Sequence, residues 1–233
     1  HTSEAVSPAV NLTWEAVPEH LTVEAHWFES VRQPTWVELF GQPGGLVGNR
    51  ELEPEEITGR DVSLRWQLAG LGTAVRATWF SQVTEKTILW YVSGLSQTRA
   101  VNVGRTRAEG LEGEVAVQRG PVTGTLALTW QDAHHGHGQD PTWHGKQLPF
   151  LSEWEVFGDL RWDLGRWQPA VSVIHESASF TDLYNDPDAR VAPRTLINLA
   201  LGRQFTGGVW VAGSTATVTA EVFNLTDRRL HDV

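Results

Sequence analysis

Apolar and polar residues take turns along most of this chain. In "LTVEAHWF" the residues Leu21, Val23, Ala25 and Trp27 share one face, and Thr22, Glu24 and His26 share the other. "DVSLRWQL" sets Val62, Leu64, Trp66 and Leu68 against Ser63, Arg65 and Gln67. "VTGTLALTWQ" sets Val122, Leu126, Leu128 and Trp130 against Thr123, Thr125, Thr129 and Gln131. In "EWEVFGDLRWDL" the apolar set is Trp154, Val156, Leu160, Trp162 and Leu164, opposed by Glu153, Glu155, Asp159, Arg161 and Asp163. Successive side chains of a strand point to opposite faces, so a sustained period of two predicts half-buried β-strands. About ten strands of about 7–15 residues are expected, and no segment carries a helical stripe. They lie near 9–17, 21–31, 58–69, 73–83, 101–118, 122–133, 150–164, 168–180, 194–205 and 215–225.

The connections alternate too. Those at 18–20, 70–72, 120–121 and 165–167 are short, whereas those at 32–57, 84–100, 134–149 and 181–193 are long; the link at 206–214 is intermediate. The longest, "RQPTWVELFGQPGGLVGNRELEPEE", carries three prolines and four glycines and is expected to lack regular structure. Tight turns at one rim and large loops at the other describe an antiparallel up-and-down sheet. Membrane β-barrels have this form, with a wet lumen behind their polar faces. A soluble all-β sandwich would have shorter strands and turns of similar length at both ends.

Composition narrows the choice. The hydrophobic fraction of 40% and charged fraction of 20% suit a folded chain of 233 residues. The longest apolar runs fall short of 18 residues, so neither a transmembrane helix nor a signal peptide is expected, a test to which membrane β-barrels are blind. A net charge of -10 argues against nucleic acid as partner. Cysteine is absent, which removes disulfides and thiolate metal sites. Twelve Trp against 2 Tyr is unusual, and indoles suit surfaces that are oily on one side and wet on the other. Trp14, Trp27, Trp66, Trp79, Trp130, Trp154 and Trp162 fall on apolar strand faces. In a membrane barrel those near strand ends would form two rings at the bilayer interfaces; in a sandwich they would cluster in the core.

Three groups of residues carry candidate chemistry. "HHGHGQDPTWH" supplies His134, His135, His137, Asp140 and His144, which could converge on a transition metal or simply form an exposed polar loop. "DLYNDPDAR" offers Asp182, Asn185, Asp186 and Asp188 either to calcium or to side-chain-capped turns, without the glycine or distal glutamate of an EF-hand. Glu112, Glu114, Glu153, Glu155, Asp159, Arg161 and Asp163 line polar strand faces, with no two singled out as an acid–base pair. His175 lies near Ser177 without forming a triad, and there is no Gly-x-Ser-x-Gly elbow, so no enzyme is expected.

Five pieces in order resemble the barrel of TonB-dependent outer-membrane receptors. These are "RQPTWVELFG" followed by "GN" and "LEPEE" (32–56), "VNVGRTRAEGLEGEV" (101–115), "GKQLPFLSEWEVFGDLRW" (145–162), "VAPRTLINLAL" (191–201) and "EVFNLTDRRLHD" (221–232). The resemblance implies an antiparallel up-and-down transmembrane β-barrel of the bacterial cell outer membrane. About ten strands of a larger, 22-stranded barrel would be present, with no plug domain, no TonB-contacting segment and no final strand. The barrel's remaining strands would come from the same polypeptide or from another. Partners would be outer-membrane lipid, the TonB complex acting through a plug this chain lacks, and a scarce ligand such as a metal chelate, cobalamin or a glycan. Ligand contact is expected at the long loops, through Arg32, Trp36, Trp90, Tyr91, Trp143 and Tyr184. No cofactor is required, although the His-rich loop could take a transition metal. A soluble or surface β-sheet binding module built around that loop is the rival reading, with an outer-membrane enzyme or a porin-like channel as a third.

Overall fold

The computed structural model describes residues 6–94, 97–138, 140–206 and 214–227. Its elements begin with β1 (Ala9–Val17), β2 (Leu21–Arg32), a short helix α1 (Trp36–Phe40), β3 (Leu46–Val47), β4 (Glu55–Leu68) and β5 (Thr73–Glu85). Next come β6 (Ile88–Gly94), β7 (Gln97–Asn102), β8 (Thr106–Arg119), β9 (Val122–His135) and β10 (Trp154–Trp162). The chain continues through β11 (Trp167–Glu176), β12 (Ser179–Phe180), β13 (Arg190–Val191), β14 (Arg194–Thr206) and β15 (Thr215–Val222). Ten of the strands form one sheet in the order β1-β2-β4-β5-β8-β9-β10-β11-β14-β15. Every neighbouring pair is antiparallel. This is the all-β up-and-down arrangement that the alternation predicts, and none of the described residues forms a plug. The 206–214 link and the end of the 221–232 piece lie largely outside the described residues.

Register keeps each face continuous. Val62 pairs with Ala25 and Trp79, and Leu64 with Val23 and Ala77, while Ser63 sits between Glu24 and Thr78. Burial is the reverse of a soluble sheet: Leu64 exposes 37% of its surface and Ser63 only 1%. Val62, Trp66, Leu111, Leu126, Leu128, Leu199, Leu201 and Val218 are exposed as well. The covered face carries polar pairs, among them Ser63 with Thr78 (2.9 Å), His26 with Asp61 (2.9 Å) and Glu24 with Arg65 (3.6 Å). An apolar face this large needs apolar surroundings.

Most of the outward tryptophans fall into two belts, whereas Trp14 pairs with Val23 within the apolar face. Trp79, Leu111, Trp130 and Trp154 pair in one row across β5, β8, β9 and β10, and Trp130 and Trp154 lie 6.3 Å apart. Trp66, Trp162 and Trp167 stand beside the short turns. Along β10, Trp154 and Trp162 are about 26 Å apart at 3.3 Å per residue, or about 20 Å in height at a barrel strand's usual tilt of about 40°, which fits within an apolar band of about 25 Å. Beyond the upper row β9 runs on from Trp130 to His135, about 16 Å further. The long-loop ends of the strands therefore stand clear of the apolar band.

The buried apolar residues lie up there, in the long connections. Hairpin β6–β7 is covered on both sides. Ile88 and Ala100 pack with Leu52 and Leu39, whereas Leu89, Tyr91 and Val101 pack against Val103, Trp143 and Leu183. β3 joins β7 in parallel to complete a small three-stranded sheet.

Two sequence expectations need correction here. The 32–57 connection is not devoid of regular structure: it holds α1 and β3. Thr35 and Glu38 close a capping box, with the Glu38 N–H donating to Thr35 Oγ1 (3.3 Å) and the Thr35 N–H donating to Glu38 Oε2 (2.6 Å). Five residues are too few to show a helical stripe. The 84–100 connection is a hairpin, and because both its faces are packed its sequence shows no alternation. Strand ends shift accordingly: 101–118 divides into the end of β7 and β8 at a turn through Gly104, and 150–164 shortens to Trp154–Trp162.

Candidate ligand-binding rim

Three groups of side chains occupy the long-loop rim. The first fixes the 32–57 connection. Arg32, the last residue of β2, donates from Nε to Glu55 (2.5 Å) and from its terminal nitrogens to Glu38 (3.1 and 3.3 Å). Glu55 also accepts the Ile88 N–H (2.6 Å), which ties the hairpin to the same point. Hydrogen bonding to Glu55 holds the Arg32 guanidinium above its ordinary range against the effect of burial. Burial works to raise the Glu38 carboxyl but is outweighed by the Thr35 N–H and Arg32, so it stays below the usual carboxylate range. Arg32 is thus committed to the wall.

The second group is aromatic. Trp143 is buried, with Tyr91 at 6.0 Å, Tyr184 at 6.1 Å and His135 at 6.3 Å between ring centroids. A hydrogen bond donated to Tyr184 holds the Tyr91 phenol above its ordinary range. Three of the six expected contact residues therefore meet, brought from three different loops. The other three stand apart. Trp36 is exposed and stacks on Phe40 at 4.1 Å. Trp90 alternates with Tyr91 along β6 and so faces the opposite side of the hairpin.

The third group is the His-rich loop. His134 and His135 are successive residues of β9 and point to opposite faces of the wall. His134 reaches Asp132 on the outer side (3.3 Å). His135 is 2% exposed, and neither ring nitrogen has a partner. Burial, and secondarily the neighbouring His134, lower its pKa to about 4. His137 and His144 lie ring to ring at 4.4 Å. Asp140 accepts from the N–H (2.9 Å) and hydroxyl (2.7 Å) of Thr142, the hydroxyl bond chiefly holding its carboxyl below the usual range. A cavity of about 330 Å³ is lined by His134, His135, His137 and His144 with Arg105 and Arg107. Among the described residues no three or more His, Asp or Glu side chains converge to hold a metal ion.

The acidic run 182–188 spends its carboxylates on turns. Asp182 accepts the Asp186 N–H (3.1 Å) and Asp186 the Asp188 N–H (2.9 Å). His175 bonds Thr195 (2.8 Å), and the Ser177 hydroxyl accepts the Trp154 N–H (3.0 Å), so the two do not act together.

Several organising residues escaped the sequence reading. Asn102 donates to the carbonyls of Lys86 (2.6 Å) and Glu53 (3.0 Å), Asn49 donates to the Ala100 carbonyl (3.1 Å), and Asn185 exchanges bonds with the Gln147 backbone. Each sews one loop to another, and no local pattern marks such a partner. Thr35-x-x-Glu38 did carry a signal, since that spacing is a helix-start signature.

The family model described as TonB dependent receptor-like, beta-barrel matches residues 1–225. The chain belongs to the TonB-dependent receptor family. Its barrel portion resembles the copper transporter OprC at 21% identity and a TM-score of 0.73, over 95% of this chain and 34% of that one. The ferric enterobactin receptor PfeA from Pseudomonas aeruginosa is similar at 18% identity and a TM-score of 0.70, over 96% and 35% of the two chains. The siderophore receptor PirA from Acinetobacter baumannii matches at 14% identity and a TM-score of 0.71, over 95% and 37%. At such identities the likeness shows the fold. The chain spans about a third of the length of these TonB-dependent receptors. No curated protein matches it by sequence.

Proposed function

We propose that these residues form part of an outer-membrane receptor that imports a metal or metal chelate, with energy delivered by TonB through a plug elsewhere in the assembly. The observation that carries this reading is the outward apolar face bounded by two tryptophan belts, with structured loops standing clear of it on one side only. Such a face suits lipid, and it argues against the soluble binding module. Neighbours named for copper, ferric enterobactin and a siderophore favour metal cargo over cobalamin or a glycan. In this reading the Tyr91–Trp143–Tyr184 cluster braces the loops over the mouth. His134, His137 and His144 line the cavity of the outer rim, where they offer imidazoles to a passing transition metal without converging as a three-donor site.

The test uses the full-length receptor in a host lacking its own copy. Growth is measured in media depleted of iron, copper or zinc in turn, with and without TonB. Rescue for one metal, lost without TonB and weakened on deletion of 136–145, is expected. Rescue that persists without TonB would identify a passive channel and overturn the proposal.

A further inference from the structure

The apolar face carries a notch. Gly124 on β9 and Gly158 on β10 occupy outward positions where their neighbours carry branched side chains. Gly124 pairs with Leu160 and Val117, and Gly158 with Leu126 and Val173. Leu160 leans over Gly124, its Cδ1 2.8 Å from where a Cβ would stand, while Gly158 is left open. The result is a groove of about 460 Å³ across β8, β9, β10 and β11, walled by Val115, Val117, Leu126, Leu160, Val171 and Val173. Four strands make it about 14 Å wide at the usual spacing between strands.

The groove opens toward a charged rim at the short turns. Arg119 is the next outward position after Val117 on β8, about 7 Å along the strand. It pairs in register with Val122, which pairs in turn with the belt residue Trp162. Among the described residues no carboxylate pairs with Arg119. Asp163 is held near it by a hydrogen bond from its backbone N–H to Pro121 (2.7 Å), yet its carboxylate accepts the Gly165 N–H (3.0 Å). On the far side Arg203 stacks over Trp167 (4.8 Å) and Phe205 (4.9 Å). An unpaired cation therefore stands at the belt above an apolar slot, a combination that an acyl chain with a phosphate headgroup complements.

We infer that this groove holds one anionic diacyl phospholipid of the short-turn leaflet, its phosphate on Arg119 and an acyl chain over Leu160 and Gly158. The inference rests on the membrane-barrel reading. It assigns the two glycines a purpose that strand formation does not, since glycine weakens a strand interior.

Two variants separate charge from shape. Arg119→Gln removes the cation. Gly158→Leu fills the slot and is compatible with the sheet, because a Cβ there would meet only Leu126 Cδ1, at an ordinary 3.8 Å. Full-length receptor and variants are reconstituted in vesicles of phosphatidylethanolamine with one-fifth phosphatidylglycerol, extracted gently, and their retained lipid is measured by native mass spectrometry. The parent protein is expected to retain one phosphatidylglycerol. Arg119→Gln should lose the preference for it about fivefold, and Gly158→Leu should lose the retained lipid altogether. Equal retention of both lipids by all three proteins would mean ordinary boundary lipid and overturn the inference. So would displacement by a second copy of the receptor, seen as a dimer that Gly158→Leu abolishes. Tryptophan quenching by brominated lipid in the same vesicles tests the underlying reading separately. It should be equal in all three proteins, and its absence would remove the membrane barrel itself.

Discussion

His135 is the residue whose placement departs furthest from what its type suggests. A histidine in a run of histidines reads as a ligand, yet the inward turn of β9 buries it against Trp143 with both ring nitrogens unpartnered. Its pKa falls to about 4 from 6.5 in the unfolded chain. Above pH 6.5 both states are neutral and the burial carries no protonation penalty. As the pH drops below 6.5 the unfolded chain takes up the proton first, so stability declines until the folded ring also protonates near pH 4. At pH 5 the loss amounts to about 2 kcal/mol. Hydrogen exchange of residues 135–146 in the full-length receptor should therefore show lower protection at pH 5 than at pH 7.5, after correction for intrinsic rates. His135→Leu should remove that difference; an unchanged difference would place its origin elsewhere. What hid this role is that a side chain's direction follows from strand phase at the rim, where alternation gives way to loop. The metal reading grouped residues by proximity in sequence, but His134 and His135 stand on opposite faces of one wall.

At the scale of elements, the ten long strands were legible because one face meets an apolar medium and the other a polar one, which enforces a period of two. The hairpin β6–β7 was not legible, because Leu52 and Leu39 cover one face and Val103, Trp143 and Leu183 the other. The candidate site was legible to the same extent. Tyr91, Trp143 and Tyr184 were found as loop aromatics, but the asparagine bonds that join their loops depend on chain folding alone. The hairpin meets the His-rich loop where Gly104, at φ +101, touches Gly138. A Cβ on Gly138 would fall 2.2 Å from the Val103 carbonyl oxygen, which is backbone and cannot swing aside. Gly138→Ala is expected to loosen the junction by about 1–3 kcal/mol. Limited proteolysis within 134–149 should speed up, whereas Gly113→Ala, with open space around its Cβ, should leave it unchanged. Equal cleavage in both variants would show that the glycine contact does not hold the loop.

The whole molecule poses a problem that its parts do not. Its main sheet ends at β1 and β15, each with a single neighbour among the described strands. Every unpaired backbone N–H or C=O facing lipid costs several kcal/mol, so two free edges outweigh the stability of an ordinary domain. The apolar face makes matters worse in water, since it stays exposed however well the strands pair. A sheet with these properties needs further strands across both edges, and the receptors it resembles are about three times its length. Residues 1–233 produced alone in detergent should therefore give oligomers or aggregates rather than a single species. Supplying the remaining barrel strands in trans should give a compact, protease-resistant complex. Size exclusion with light scattering decides the matter. A monodisperse, protease-resistant monomer would mean that β1 and β15 satisfy their edges within these residues, and the larger barrel would have to be abandoned for a smaller closed one.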